Sequence, residues 1–386
     1  KEYTNEREKD YLFHMNTALQ IARTSYQNEN LLLDKNTWDR IATGADAFFS
    51  YLYEMLENGD TFKEIPMIEI MIPKKKEELR RKSFYIHEES ILQQYVLNEL
   101  LSRGSYIQYE KFVPAVRYLE REKPYVTGYG TQEEVVSFAY QIDMSAVNGE
   151  KEIKNGMFRP FYDCWTEYIQ YVQEGIERLN GETVYRVKLD IKGFYDNIRK
   201  NVVRDALYPP IRQALLKDET KFRCFRRVDD EEDDCAIRLV DWILNELFKK
   251  ECYSAETGKV YIREDSDCGI PQGPNLSAYV ANIVLFELDQ KILQIIQQIN
   301  SGCDSEHIAA RYCRYVDDMI IITSESENLL KIKNAIAAIL YEMGLELSHK
   351  TDAEDGVTKE EAIEWTVDAR GGLGVSVGYD MADDTL

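Results

Sequence analysis

The sequence lacks long hydrophobic runs: among its 386 residues no apolar stretch approaches the ~20 that a membrane-spanning helix requires, and no signal peptide is visible. It has no internal repeat, no low-complexity tract and no paired CxxC cysteines. Its seven cysteines are scattered, a pattern typical of reduced thiols in the cytoplasm. These absences argue against a membrane protein and predict a globular cytoplasmic protein with two or three subdomains.

Basic residues are also scarce: 47 Lys and Arg stand against 69 Asp and Glu, which gives a net charge of −22. Two segments carry part of the excess, residues 229–234 as an expected solvated loop and residues 351–386 at the acidic end of the chain. Phosphates are bound by Lys and Arg. A chain with this charge can therefore bind nucleic acid only through local basic surface, or with basic surface from a partner protein, another subunit or a missing segment. The sequence begins at Lys1 rather than Met, so we expect a natural N-terminus upstream.

One segment combines two adjacent carboxylates with a strongly β-forming run. Residues 312–322 are mostly apolar, and Asp317 and Asp318 lie in their middle. A buried pair of carboxylates repels itself unless a cation lies between them. The pattern predicts a β-hairpin with Val316, Asp317 and Asp318 at its bend, presenting both acids to a divalent metal. An Asp-rich turn without a metal is the alternative that this segment alone leaves open.

A third acid follows a second predicted strand. Residues 184–189 alternate as a strand does, and Asp190 falls where the strand ends. If this strand pairs beside the hairpin, Asp190 and Asp317 share one metal site, with Ile191 and Asp318 adjacent. On its own, Asp190 is an ordinary strand-end residue. Mg²⁺ prefers a few carboxylates with waters and phosphates, so the predicted cofactor is a pair of Mg²⁺ ions about 4 Å apart, which Mn²⁺ could replace.

Tyr195 lies five positions after Asp190. At the base of a nucleotide pocket, its ring would fill the space that a ribose 2′-hydroxyl needs and would favour deoxynucleotides by steric exclusion. Core packing is the alternative interpretation for Tyr195 and its neighbour Phe194, and we expect one of the two to pack in the core.

The predicted elements of the second half alternate in type. They are a strand at 184–190, a helix at 277–300, a hairpin at 312–323, a helix at 326–343 and a strand at 345–349. The second helix carries a capping box from Ser324 to Glu327 and is closed by Gly344. This β-α-β-β-α-β order is the ferredoxin-like, split-βαβ arrangement of an α+β fold, with residues 201–268 as an insertion. Residues 1–60 and 84–101 show the apolar spacing of helices.

Four motifs in this order resemble those of the polymerase palm of reverse transcriptases. The similar segments are Leu189–Tyr195 (first-aspartate motif), Gly269–Ser277 (PQG loop and helix start), Tyr315–Asp318 (YxDD box) and Met343–Lys350 (the motif that follows). The resemblance covers roughly residues 65–350 and implies the fingers and palm of a right-hand polymerase. It further implies that Gln272 bonds the incoming nucleotide or the template strand, and that Lys350 protonates pyrophosphate.

The resemblance also implies a division of the chain into four regions. Residues 1–60 are an added N-terminal helical region, residues 61–183 are the fingers, and residues 184–350 are the palm with its insertion. Residues 351–386 are an acidic tail or the start of a missing C-terminal or thumb region.

Residues 72–82 form a basic patch that resembles the fingers hairpin of the family, which grips a triphosphate. Arg offers bidentate bonds to phosphate and Lys a point charge, so Lys74 and Arg80 are the predicted dNTP ligands, with Arg81 as a rival. A solvated charged face is the alternative. Around Arg117, aromatic and basic residues interleave as in surfaces that stack single strands, and Gly273 and Tyr315 complete the predicted nucleic-acid contacts.

Differences from the better-known branches of reverse transcriptases narrow the choice of the branch that this chain resembles. No basic maturase region follows the palm, as it does in group II intron enzymes, and retron thumb motifs do not occur there. Gln272 is present where diversity-generating enzymes replace it. The chain most resembles bacterial defence-associated and abortive-infection reverse transcriptases. That resemblance implies synthesis of DNA from dNTPs on an RNA template, often a non-coding RNA, in antiphage defence.

Two other functional classes stay open. One is a template-independent or RNA-synthesising polymerase on the same palm, although Tyr195 argues against ribonucleotides. The other is a catalytically silent scaffold in a defence complex. The sequence also leaves open whether the protein forms a homo-oligomer or binds a partner protein.

Overall fold

The structure is a computed structural model that describes residues 2–28, 35–60, 62, 64–75, 78–101, 116–117, 136–149, 153, 156–217, 222–231, 233–349 and 356–366. It is a mixed α+β fold. Its helices are α1 (Glu2–Asn28), α2 (Lys35–Thr43), α3 (Ala45–Asn58), α4 (His87–Leu101), α5 (Met144–Val147), α6 (Phe161–Arg178), α7 (Phe194–Asn197), α8 (Lys200–Lys217), α9 (Asp234–Leu247), α10 (Asn275–Val284), α11 (Phe286–Asn300), α12 (Ser326–Glu342) and α13 (359–366). Its strands are β1 (Met67–Lys75), β2 (Glu78–Phe84), β3 (Val116–Arg117), β4 (Ile142–Asp143), β5 (Thr183–Ile191), β6 (Glu251–Ser254), β7 (Lys259–Ile262), β8 (Ala310–Tyr315), β9 (Asp318–Thr323), β10 (Leu347–His349) and β11 (Val357–Thr358).

The larger sheet has the predicted β-α-β-β-α-β order. Its strands run β10-β5-β9-β8, with β11 also paired to β5. The β5–β9, β8–β9 and β10–β5 pairs are all antiparallel. Numbered by their order in the chain, the four main strands lie 4-1-3-2 across the sheet, so the first strand is a direct neighbour of the hairpin, as the sequence predicted.

Each face of this sheet is buried against different helices, because successive side chains point to opposite faces and both sets include apolar residues. Val187, Leu189 and Met319 belong to the main core, which also contains residues of α10, α11 and α12. On the opposite face, Ile320 and Ile322 pack in a second cluster with residues of α6 and α13. In the part of the chain that the structure describes, helices therefore cover both faces of this sheet.

The smaller sheet is built from two distant parts of the chain. Its order is β2-β1-β6-β7, and β1 runs parallel to β6. The predicted insertion at 201–268 therefore does not stand apart, since its strands β6 and β7 extend the sheet that carries the basic hairpin β1–β2.

Two local predictions were wrong. The helix predicted over 277–300 is two helices, because Leu285 breaks the run with φ −83° and ψ 0°. The capping box at Ser324 does not form, because α12 starts at Ser326 with Glu325 as its N-cap and no side-chain cap. The Ser324 hydroxyl donates instead to the Ala309 carbonyl at 3.4 Å. Within the described part of the chain, no helix is both long and apolar enough to cross a membrane.

Candidate active site

The bend of the β8–β9 hairpin is strained. Tyr315 pairs with Asp318 across the hairpin, so Val316 and Asp317 form a two-residue bend. Val316 has φ 57°, in the left-handed region that β-branched residues rarely adopt. Such outliers persist only where the surroundings fix them, and they concentrate at functional sites. The bend holds Asp317 at its tip and Asp318 at the first position of β9.

The register of the sheet brings Asp190 to the same place. Leu189 of β5 pairs with Met319 of β9. Continued by one residue beyond this last pair, the register would set Asp190 opposite Asp318. Asp190, Asp317 and Asp318 are all half-buried. The three predicted acids thus meet at one end of the sheet.

The carboxylate groups themselves are not gathered around a common point. Among the residues that the structure describes, no three acid, His or Cys side chains are close enough to hold one metal ion. The Asp318 carboxylate lies 3.7 Å from the ammonium of Lys188, a lysine that is 6% exposed and two positions before Asp190 on the same face of β5. Carboxylate oxygens are ligands that Mg²⁺ prefers, but Asp318 also has a lysine beside it. The assignment of Asp190, Ile191, Asp317 and Asp318 to metal stays a prediction.

Tyr195 lies beside this acid cluster. It sits on the short helix α7 and is half-buried, whereas its neighbour Phe194 is 2% exposed. Phe194 is therefore the ring of this pair that packs in the core. Burial, Tyr140 and Asp317 raise the pKa of Tyr195 well above its ordinary value, and Arg80 opposes the shift. The Tyr195 hydroxyl thus bonds with Tyr140 and is influenced by the charges of Asp317 and Arg80.

The PQG loop connects Tyr195 to the basic hairpin. The Ile270 amide donates to the Tyr195 carbonyl at 2.9 Å, and the Ser83 amide of β2 donates to the Gln272 carbonyl at 2.8 Å. Gly273 has φ 133°, and a Cβ there would lie 2.9 Å from the Ser83 carbonyl oxygen. Only glycine allows the loop to approach β2 this closely. Helix α10 then begins at Asn275, two residues before Ser277, the predicted start.

The two candidate arginines of the basic hairpin point in different directions. Successive strand residues face opposite sides of a sheet. Arg80 is half-buried and influences Tyr195, whereas Arg81 is exposed and lies 3.8 Å from Glu69. Of the two, Arg80 is the one whose charge influences Tyr195. The Lys74 backbone belongs to β1, but its side chain lies outside the described residues.

The structure describes the remaining predicted site residues to different extents. Tyr315 is half-buried against α6, with ring centroids 5.0 Å from Trp165 and 5.5 Å from Phe161. Arg117 is described only as backbone in β3, which pairs with β4. Lys350 lies outside the described residues.

Two neighbours of the site were not predicted. Lys188 shares a strand face with Asp190, and the strand alternation could have indicated it. Tyr140 contacts Tyr195 from a segment far upstream in the chain, and no local pattern in the sequence signals that contact.

Comparison with known proteins identifies the domain that carries the hairpin. Residues 222–354 match the family model described as reverse transcriptase (RNA-dependent DNA polymerase). A reverse transcriptase domain is therefore present, and the matched segment includes Gln272, Asp317 and Asp318 but begins after Asp190. No curated protein matches the sequence.

The solved structures to which the chain shows similarity include telomerases. An apo telomerase from Candida tropicalis, truncated from its C-terminal domain, has a TM-score of 0.41 and 14% identity over 80% of this chain and 55% of that one. A telomerase from Candida albicans, in complex with a fragment of telomeric RNA, has a TM-score of 0.41 and 14% identity over 74% of this chain and 42% of that one. The chain thus spans about half the length of these structures.

Proposed function

We propose that the chain with this reverse transcriptase domain is an RNA-directed DNA polymerase, which adds dNTPs to a 3′-hydroxyl by two-metal nucleotidyl transfer. In this proposal, residues 1–60 are an N-terminal helical region, residues 61–183 are fingers, residues 184–350 are the palm, and residues 351–386 are a tail or the start of a further domain. The observation that carries the proposal is the strand register. Continued by one residue past Leu189–Met319, it would set Asp190 opposite Asp318, beside the strained bend that bears Asp317.

The acid cluster would hold the metal. Asp190 and Asp317 would be the ligands, supported by Asp318 and the adjacent Ile191. When bound, a pair of Mg²⁺ ions would lower the pKa of the attacking hydroxyl and stabilise the charge on the leaving pyrophosphate. Fixed strand positions let the acids adopt this role without a large rearrangement of the backbone.

The other side chains would select and orient the nucleotide. Arg80, whose charge influences Tyr195, would bind the triphosphate, with Lys74 on the partner strand and Arg81 as a rival. Tyr195, with its hydroxyl held near Tyr140, would exclude a 2′-hydroxyl by occupying its space.

The nucleic acid would run past the loop and the bend. The PQG loop brings Gln272 and Gly273 against β2 and so close to the nucleotide. Tyr315, beside the bend, and Arg117 would contact the strands. In the family resemblance, Lys350 would protonate the pyrophosphate as it leaves.

The proposal also includes a biological role for the enzyme. The resemblance of the motifs to bacterial defence-associated enzymes supports an antiphage role with a non-coding RNA as template and DNA as product. The net charge of −22 supports basic surface that is local or supplied by another subunit or a partner protein.

Incorporation of labelled dNTPs tests the proposal. With an RNA template, a DNA primer and Mg²⁺, the protein should extend the primer. Asp317→Asn should lower the rate at least about 100-fold, since it removes charge that acts on the transition state. The matched control is Asp205→Asn, the same change at an exposed position on α8, which should leave the rate unchanged.

The same assay separates the alternatives. Preferred use of rNTPs would favour an RNA-synthesising polymerase, and extension without RNA would favour a template-independent transferase. A protein that incorporates no nucleotide with Mg²⁺ or Mn²⁺ would contradict the enzymatic proposal and favour a silent scaffold.

A further inference from the structure

Arg314, immediately before the YVDD bend, is fully buried and makes an unusually complete set of bonds. Its Nε donates to both Asp289 carboxylate oxygens at 2.8 and 2.9 Å, and its Nη2 donates to Asp289 Oδ2 at 2.8 Å. Its Nη1 donates to Asn282 Oδ1 at 2.7 Å and to the Val316 carbonyl at 3.3 Å. Arg314 is 0% exposed and Asp289 is 1% exposed.

A contribution to the stability of the fold is a weak explanation for a buried ion pair such as Arg314 and Asp289. Taking two charges out of water costs roughly what their attraction returns, and apolar residues of similar volume often serve a core as well or better. A planar guanidinium with five donors offers geometry that an apolar residue does not. The bonds of Arg314 show what that geometry is used for.

One of these bonds reaches the strained residue. The acceptor at 3.3 Å is the carbonyl of Val316, whose φ is 57°. The backbone of Arg314 is fixed as well, because its amide donates to the Val136 carbonyl at 2.8 Å and its carbonyl accepts from Phe138 at 3.1 Å. The arginine thus binds the bend with a side chain that cannot move.

Asn282 extends the network to the other side of the site. Its Nδ2 donates to the Ala139 carbonyl at 2.9 Å, and its Oδ1 accepts from Ser137 Oγ at 3.1 Å. Ala139 precedes Tyr140, whose hydroxyl bonds with Tyr195. One buried network on α10 and α11 therefore supports both the acid bend and the sugar-selecting tyrosine.

We infer that Arg314, Asp289 and Asn282 are positioning residues: they fix the Val316–Asp317 bend and the segment ending at Tyr140, so that the acids and the tyrosine hold one geometry. None of the three touches substrate. The inference rests on the proposed function for its catalytic consequence, but its metal-binding consequence can be measured without catalysis.

The first test is Arg314→Lys. Lysine keeps the charge beside Asp289 but cannot donate to Asp289, Asn282 and Val316 together. We expect the variant to fold, with kcat for dNTP incorporation lowered about 10-fold to 100-fold and the KM for dNTP within about threefold of the wild type. That range is typical when a residue that orients catalytic or metal-binding groups is lost. We also expect Mn²⁺ binding, followed by electron paramagnetic resonance of the free ion, to weaken about 10-fold.

The matched control is Arg238→Lys on α9. Arg238 also bonds both oxygens of an aspartate, Asp230, and one backbone carbonyl, that of Phe225 at 3.0 Å. Its pair lies in the insertion at 201–268. We expect kcat and Mn²⁺ binding to stay unchanged in this control. Equal effects in the two variants would overturn the inference, because they would show a general loss of stability.

A double-mutant cycle with Val316→Gly tests the mechanism. Glycine adopts positive φ without strain, so the bend should depend less on Arg314. We expect the loss of kcat caused by Arg314→Lys to be at least about fivefold smaller in the Val316→Gly background. The same loss in both backgrounds would show that Arg314 does not act through the bend.

Two further experimental outcomes also decide whether the inference holds. If Arg314→Lys does not fold, Asn282→Ala replaces it, because it leaves the Arg314–Asp289 pair intact and should still lower kcat; unchanged kcat would then refute the inference. If the wild type binds Mn²⁺ but incorporates no nucleotide, the proposed function fails, and the inference then stands or falls on whether Arg314→Lys weakens Mn²⁺ binding.

Discussion

The contact between the PQG loop and the basic hairpin provides the sharpest quantitative prediction. Gly273 has φ 133°, and a Cβ there would lie 2.9 Å from the backbone oxygen of Ser83. The Ser83 amide already donates to the neighbouring Gln272 carbonyl at 2.8 Å, so the loop has little room to move away. Gly273→Ala should therefore separate the loop from β2 or force alanine into a conformation that it rarely adopts.

Substitutions at two other glycines serve as comparisons, because they separate the contributions to the change in the free energy of unfolding. Gly302 has no positive φ and open space around its Cβ position, so Gly302→Ala should stabilise by up to about 0.4–1 kcal/mol through the unfolded state. Gly181 has φ 77° and open space, so Gly181→Ala should cost only the left-handed conformation, about 1–2 kcal/mol. Gly273→Ala carries a conformational cost of about 1–3 kcal/mol and the backbone collision in addition.

Urea unfolding of the three variants, with the midpoint and slope fitted separately, measures these differences. Steady-state kinetics then separate stability from function. Gly273→Ala should raise the KM for dNTP about 10-fold or more, because Gln272 moves with the loop. Gly181→Ala should leave KM unchanged although it also destabilises. Equal destabilisation by the two variants, or an unchanged KM in Gly273→Ala, would refute the reasoning.

Three shorter predictions address other groups. Tyr195→Val should lower the preference for dNTP over rNTP, measured as a ratio of kcat/KM values, at least about 10-fold; an unchanged ratio would remove Tyr195 from sugar selection. Lys188→Met removes the buried ammonium 3.7 Å from Asp318, so Mg²⁺ should raise the melting temperature more than in the wild type, and an equal shift would contradict this. Burial, and then the neighbouring Glu246, raise the pKa of Glu89 far above its ordinary 4.5. The folded state therefore holds this proton more tightly, and stability falls as pH rises from about 4.5 through the raised pKa. Glu89→Gln should flatten that fall in urea unfolding between pH 6 and 9, and an unchanged slope would exclude Glu89 as its cause.

Local periodicity predicted much of the larger sheet. The strand expected at 184–190 is Thr183–Ile191, and the helix expected at 326–343 is Ser326–Glu342. These elements carry their signal in the alternation or the helical spacing of their own residues. The break at Leu285 had no such signal, because leucine is a good helix former and the apolar spacing continues through it.

Non-local pairings could not be predicted in the same way. The parallel pairing of β1 with β6 joins residues such as Met67 and Cys252, and no short window of sequence contains both. The buried pair of Arg314 and Asp289 could not be predicted for the same reason, since an arginine in a strand and an aspartate on a distant helix are both expected at the surface. Charged residues are rarely fully buried, so sequence reasoning assigns them to solvent unless a partner is known.

The two buried cations beside the hairpin resolve part of the difficulty that a net charge of −22 raised. Arg314 is paired with Asp289, so it adds geometry at the bend and almost no net charge. Lys188 lies 3.7 Å from Asp318, so it offsets part of the negative charge at this end of the sheet. In the proposed function, the negative charge at this end of the sheet would attract a divalent cation at short range. The overall acidity of the chain would then bear on how nucleic acid approaches, whereas the local charge at the bend would favour metal binding.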